Sequence, residues 1–193
     1  MAFERDPHKL FPHDHLLKYT VIPLLPNFIT PNIITVVRFV LTPFVVWCLA
    51  AEDYAVGIPL FLFAAFTDAL DGSLARVRQK ITAWGTFYDP VADKLLIGSL
   101  VLLFVTKYLG VVFSFLILFF ELLIVFFGYI NRKNGRLVSA NIFGKTKMLF
   151  QVLGLATLLI SLALVYPFGF TVAAGFFVVA IILAVISLFT YGL

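Results

Sequence analysis

The chain has 193 residues, of which 62% are hydrophobic and only 12% charged, with a mean hydropathy of +1.08. No water-soluble domain of this length can hide so much apolar side chain, which excludes a soluble globular protein and leaves a polytopic membrane protein. The formal net charge is +4, and a modest positive surplus on such a chain suits anionic lipid headgroups and phosphates; nucleic acid is not an expected partner.

The first fifteen residues, MAFERDPHKLFPHDH, are polar and charged. They lack the basic start and short apolar core of a cleavable signal peptide, and none is expected. The next stretch mixes Leu, Phe, Tyr and Lys, so residues 1–30 are expected to form a juxtamembrane amphipathic arm in the headgroup layer. His8, His13 and His15 read as surface residues of that arm.

Six apolar stretches follow, over residues 33–51, 55–75, 86–107, 111–131, 148–166 and 169–191. Each is near the ~20 residues that a spanning helix needs. The expected fold is therefore all-α, with six transmembrane helices in one membrane domain over residues 31–193. Thr30 is the expected N-cap of the first span and Pro31 its first helical residue. Cys48 lies in an apolar run and reads as an inert buried thiol, and Trp47 and Trp84 as anchors.

Thirteen of the fourteen Lys and Arg residues fall on one side of the six-span arrangement, and only Lys107 on the other. The positive-inside rule then puts both termini, the second-to-third loop and the fourth-to-fifth loop in the cytoplasm of a multi-pass cell-membrane protein.

Residues 68 to 93, DALDGSLARVRQKITAWGTFYDPVAD, hold four of the ten acidic residues between apolar flanks. A carboxylate at bilayer depth costs about 2.5–3.5 kcal/mol. Four of them call for a shared counter-charge, and a divalent metal is the simplest one. On a helix, Asp68, Asp71, Gly72 and Ala75 share one narrow face, with Arg76 beside it. Gly85, Asp89 and Asp93 recur at i, i+4 and i+8 on another face. The two segments are consecutive and antiparallel, so their carboxylates can converge. Hard oxygen ligands with no His or Cys nearby select Mg²⁺ or Mn²⁺ over zinc. The small residues Gly72, Ala75 and Gly85 leave room for a bulky metal-held diphosphate.

These eight residues fit the pattern D-x2-D-G-x2-A-R-x8-G-x3-D-x3-D without departure: Asp68, Asp71, Gly72, Ala75, Arg76, Gly85, Asp89 and Asp93. The segment resembles the signature of the CDP-alcohol phosphatidyltransferase family, whose members move a phosphatidyl-type group from a CDP-linked lipid to an alcohol and release CMP. The resemblance implies that Asp68, Asp71 and Asp89 bind metal, and that Asp93 binds metal and takes the acceptor's hydroxyl proton. It implies two ions, a CDP-diacylglycerol donor, a small alcohol or phosphoalcohol acceptor and a homodimer. Gly72, Arg76 and Thr82 would touch the CDP moiety, with Ala75 and Gly85 beside it. The N-x2-T-x2-R segment Asn32, Thr35, Arg38 is similar to one common in the family, so Asn32 and Thr35 are further candidate contacts to the cytidine or its phosphates. The alternative is that Asn32 caps the helix and Arg38 snorkels to the surface.

For the acceptor, Ser139-Ala140, Gly144-Lys145-Thr146-Lys147 and Gln151 resemble a segment of the family's phosphatidylglycerophosphate synthases, which use glycerol 3-phosphate. Lys145 and Lys147, with Arg38 and Arg132, are the candidate ligands of its phosphate, whose double charge needs fixed cations. Met148 and Phe120-Glu121 depart from that segment's Thr and Arg-Glu. Glu121 is expected to pair with Arg38 or Lys94, to help hold the acceptor pocket, or to serve as a member of a purely structural pair. Inositol phosphate, phosphatidylglycerol and other small alcohols are alternative acceptors. A cation transporter using the four carboxylates, and an inactive lipid-binding relative, are the readings from other classes.

Overall fold

A computed structural model describes residues 12–26, 28–78, 83–133 and 142–190. Among them the structure is helical, with no strand. Two compact units divide the chain, Met1–Leu96 and Ile97–Leu193.

The first unit opens with α1, Pro12–Thr20, and a short 3-10 turn, Ile22–Leu24. Helix α2 follows, Pro31–Ala50, with Thr30 accepting from the Ile33 amide at 3.4 Å and Pro31 in the first turn, as the sequence predicts. Helix α3, Tyr54–Val77, is capped by Asp53, which accepts from the Val56 amide at 3.3 Å. The link between α2 and α3 turns at Glu52, whose φ of 62° is left-handed; the Asp53 amide closes the turn on the Cys48 carbonyl at 2.9 Å. Gly57 lets the two helices approach closely, since a Cβ there would strike the Leu49 side chain. Helix α4, Ala83–Leu100, carries Asp89 and Asp93.

In the second unit the helical path of α4 runs through a π-helical turn, Val101–Val105, into the short α5, Thr106–Tyr108. Val101, Phe104 and Val105 are buried, and Thr106 donates to Ser114 at 2.8 Å. Helices α6, Val111–Lys133, α7, Ile142–Ala163, and α8, Phe168–Thr190, complete the unit. Leu155, Leu158 and Leu159 of α7 and Ala173, Phe177, Ala180 and Ala184 of α8 form the buried seam. Gly154 fits that seam because a Cβ would come within 3.0 Å of the Phe177 ring.

Among the described residues, five helices are long and apolar enough to cross a membrane: Pro31–Ala50, Tyr54–Val77, Val111–Asn131, Phe143–Ala163 and Phe168–Phe189. The expected third span is not among them. Its α-helix is interrupted at Val101, and it bears Asp89, Asp93 and Lys94. The exposed surface is apolar, with Val40, Phe44, Trp47, Phe63, Phe115, Leu122 and Ile182 all outward. Beside the buried apolar residues, the interior also holds polar groups, among them Thr35, Arg38, Asp71, Ser73, Lys147 and Gln151. Apolar side chains outward and ionisable ones inward is the arrangement that hydrocarbon solvent selects. Cys48 is buried, as expected.

Candidate active site

In the first unit the candidate residues of three helices meet. Thr35 and Arg38 are one turn apart on α2, and both are fully buried. Arg38 donates through Nη1 to Asp68 Oδ1 at 2.5 Å and through Nη2 to Asp71 Oδ2. Thr35 Oγ1 lies 2.5 Å from Asp89 Oδ1 on α4 and 3.2 Å from its own helix's Pro31 carbonyl. The carboxylate is the nearer and the charged acceptor, so the single hydroxyl proton goes there. Two carboxylates thus pair with the guanidinium and a third is held on Thr35; with Arg38 these side chains carry a formal charge of −2.

Arg38 is therefore not a snorkelling residue; its charge is spent inside the bundle. Its Nε is buried without a hydrogen-bond acceptor among the described residues. A buried donor left unmatched costs about 1–3 kcal/mol, so this atom is suited to an incoming oxygen.

The set has the chemistry for a hard divalent ion: carboxylate oxygens, a surplus of negative charge and a cation at their meeting point. As they stand, no three acidic, His or Cys side chains among the described residues are close enough together to ligate one ion. Asp68 and Asp71 are instead paired with Arg38, so the donor chemistry suits a hard divalent cation while the present arrangement does not gather the acids for one.

The remaining candidates fall around this centre or apart from it. Gly72 and Ala75 lie on the aspartate-bearing face of α3. Asp93 stands one turn beyond Asp89 on α4 and is half-buried; Gly85, one turn before Asp89, is buried. Asn32 is half-buried in the first turn of α2. Arg76 is held by Asp14 of α1, a residue that the sequence reading passed over. Asp14 accepts from Arg76 Nε and Nη2, each at 2.7 Å, and from Ser73 Oγ at 2.5 Å. A polar residue in a polar arm carries no sign of a partner 62 positions away. Thr82 lies outside the described residues, as do Ser139, Ala140 and the side chains of Arg132 and His13; His8 is outside them too.

The acceptor candidates of α7 belong to the second unit. Lys147 is buried, and its Nζ lies 2.5 Å from Glu121 Oε1 on α6; Gln151 Nε2 donates to the same oxygen at 2.9 Å. Glu121 thus pairs with Lys147, a partner the sequence did not suggest. Lys145, half-buried, stands in the first turn of α7.

The family model for CDP-alcohol phosphatidyltransferase matches residues 28–190. A Drosophila melanogaster protein named "Probable cardiolipin synthase (CMP-forming)" is 44% identical over 73 residues, 37% of this chain and 23% of that protein. CDP-diacylglycerol–glycerol-3-phosphate 3-phosphatidyltransferase of Pseudomonas fluorescens is 41% identical over 81 residues, 40% of this chain and 42% of that enzyme. The enzyme of the same name from Bacillus subtilis (strain 168) is 30% identical over 146 residues, 67% of this chain and 76% of its own length. The chain spans about a quarter of the first of these relatives, about two-fifths of the second and three-quarters of the third. With the family model covering most of its length, the chain belongs to the CDP-alcohol phosphatidyltransferase family, a family of transferases of substituted phosphate groups.

Proposed function

We propose that the protein transfers a phosphatidyl group from CDP-diacylglycerol to glycerol 3-phosphate, giving phosphatidylglycerophosphate and CMP in a divalent-metal-dependent reaction. The observation that carries this reading is the pairing of Asp68 and Asp71 with one buried cation, Arg38, while Thr35, one turn before it on α2, holds Asp89. Such a site exists to hold positive charge at the membrane boundary, and a diphosphate brought there needs it.

In this reading Asp68, Asp71, Asp89 and Asp93 hold two ions, Mg²⁺ or Mn²⁺. When bound, these offset the diphosphate's charge, polarise the attacked phosphorus and stabilise the leaving CMP. Arg38 keeps the acids together beforehand, and its Nε then meets a phosphate oxygen. Thr35 holds Asp89 in one orientation. Asn32, Gly72, Ala75, Arg76, Thr82 and Gly85 form the cradle of the CDP moiety. Asp93 takes the proton of an acceptor hydroxyl, whose oxygen bonds to the lipid-linked phosphorus as the bond from that phosphorus to CMP breaks. Direct displacement suffices, without a covalent enzyme intermediate. Lys145, Lys147 and Arg132 are the cations offered to the acceptor's phosphate. The excess of Lys and Arg on one side supports a cytoplasmic active-site face, and the family resemblance a homodimer.

Phosphatidylglycerol is the second acceptor considered, making cardiolipin. The Drosophila melanogaster relative's name favours it, as does the pairing of Lys147 with Glu121, which leaves less unspent positive charge for a phosphate dianion. Purified protein given CDP-diacylglycerol with glycerol 3-phosphate, phosphatidylglycerol, inositol phosphate or glycerol separates these by CMP release. CMP formed with glycerol 3-phosphate above all others is the expected result. Release with another acceptor and none with glycerol 3-phosphate refutes the assignment.

A further inference from the structure

The arm before α2 reaches into the candidate donor site. Leu17 of α1 is buried in a cluster with Ile22, Ile34, Leu70 and Leu74, which seats the arm against α3. Arg78, at the end of α3, fastens the following segment by donating to the carbonyls of Leu25 at 2.7 Å and Ile29 at 2.9 Å. This docking carries Asp14, fully buried, onto Ser73 and Arg76, one turn apart on α3. Two parallel bonds, from Nε and Nη2, set both the position and the plane of the Arg76 guanidinium. Gly72 completes the seat: a Cβ there would come within 3.3 Å of Arg76 Nη1, so the guanidinium lies over the glycine. Both Gly72 and Arg76 are residues assigned above to the CDP moiety.

We infer that Asp14 is a positioning residue for Arg76, and that the arm is thereby a working part of the CDP-lipid site. The inference rests on the assignment of Arg76 to the donor's phosphates. A guanidinium forked onto a fixed carboxylate is held in one plane and position, so less freedom is lost when a phosphate binds. A buried acid is a costly means of attaching a helix that a hydrophobic cluster already seats. Holding a catalytic-site cation in register is a use that only an acid can serve.

The test is steady-state CMP release by the full-length protein in mixed micelles, with KM for CDP-diacylglycerol separated from kcat. Asp14→Asn is expected to raise the donor KM about tenfold while kcat stays within about twofold and the acceptor KM is unchanged. Asp14→Glu should recover part of the loss, which a purely structural role would not predict. Ser73→Ala, which only loosens Asp14, should raise the donor KM about threefold and decides the matter if Asp14→Asn does not fold. Arg76→Lys is measured in parallel. If it raises the donor KM while folded Asp14→Asn and Ser73→Ala leave it unchanged or lower it, the positioning role is refuted and the donor assignment stands. If Arg76→Lys leaves the donor KM unchanged, the assignment itself fails, and the inference with it.

Discussion

Thr35 Oγ1 lies 2.5 Å from Asp89 Oδ1, joining α2 to α4 across 54 positions of sequence. The hydroxyl is buried and bonds to a carboxylate, where a hydrogen bond contributes about 1.5–3 kcal/mol. Thr35→Val keeps the volume and removes the donor. CMP release should fall about tenfold or more in kcat/KM, whereas Thr35→Ser should retain most of it.

Arg38 is the counter-charge of Asp68 and Asp71 and is itself fully buried. Arg38→Met leaves two acids facing each other, and breaking a buried pair in this way costs about 3–5 kcal/mol. The variant should melt markedly lower in detergent than the parent. Added Mg²⁺ or Mn²⁺ should restore more of its melting temperature than of the parent's, because the ion then supplies the missing charge. Equal ion effects on both proteins would show that cations do not bind where Arg38 sits. Lys is not an equivalent substitute at this position, since its ammonium is a single point charge where the guanidinium offers a separate nitrogen to each carboxylate.

Much of this centre was readable from the chain before any coordinates. Asp68 and Asp71 on α3, and Asp89 and Asp93 on α4, sit at fixed helical spacings, and helical geometry alone puts each pair on one face. The helices were readable for the same reason: apolar runs near span length, with Thr30 and Pro31 marking the start of α2. Partners were not readable. Arg38 stood equally for snorkelling or for ligand contact, and its pairing with Asp68 and Asp71 of α3 removes the first. Asp14 and Arg76 are 62 positions apart, and Glu121 and Gln151 are 30 apart; no periodicity links such residues. The π-helical turn at Val101–Val105 was equally hidden, because VLLFV is as apolar as its neighbours.

Asp93 is assigned the proton transfer. Asp93→Asn should lower kcat by about 10²–10⁴-fold, the usual scale of general-base catalysis. Binding of CDP-diacylglycerol, read by equilibrium dialysis of the labelled lipid in micelles, should be largely retained. An active Asp93→Asn variant would remove Asp93 from that role.

Lys147 and Glu121 form a buried pair within the second unit, 2.5 Å apart. Lys147→Met should raise the KM for glycerol 3-phosphate about tenfold and leave the donor KM unaltered, as expected for loss of a charged phosphate contact. Glu121→Gln should shift the same constant, since the lysine loses the partner that orients it. The two effects should be less than additive when combined, and additive losses would mean that the pair does not act as a unit.

Metal dependence tests the central claim most directly. Purified protein is stripped with EDTA, and CMP release from CDP-diacylglycerol with glycerol 3-phosphate is followed as Mg²⁺ or Mn²⁺ is added back. No CMP should form in the stripped protein, activity should return with the added ion, and phosphatidylglycerophosphate should appear in equal amount. Turnover that persists undiminished in EDTA, or that survives in Asp68→Asn and Asp71→Asn, would contradict a site in which these carboxylates hold the reaction's cations.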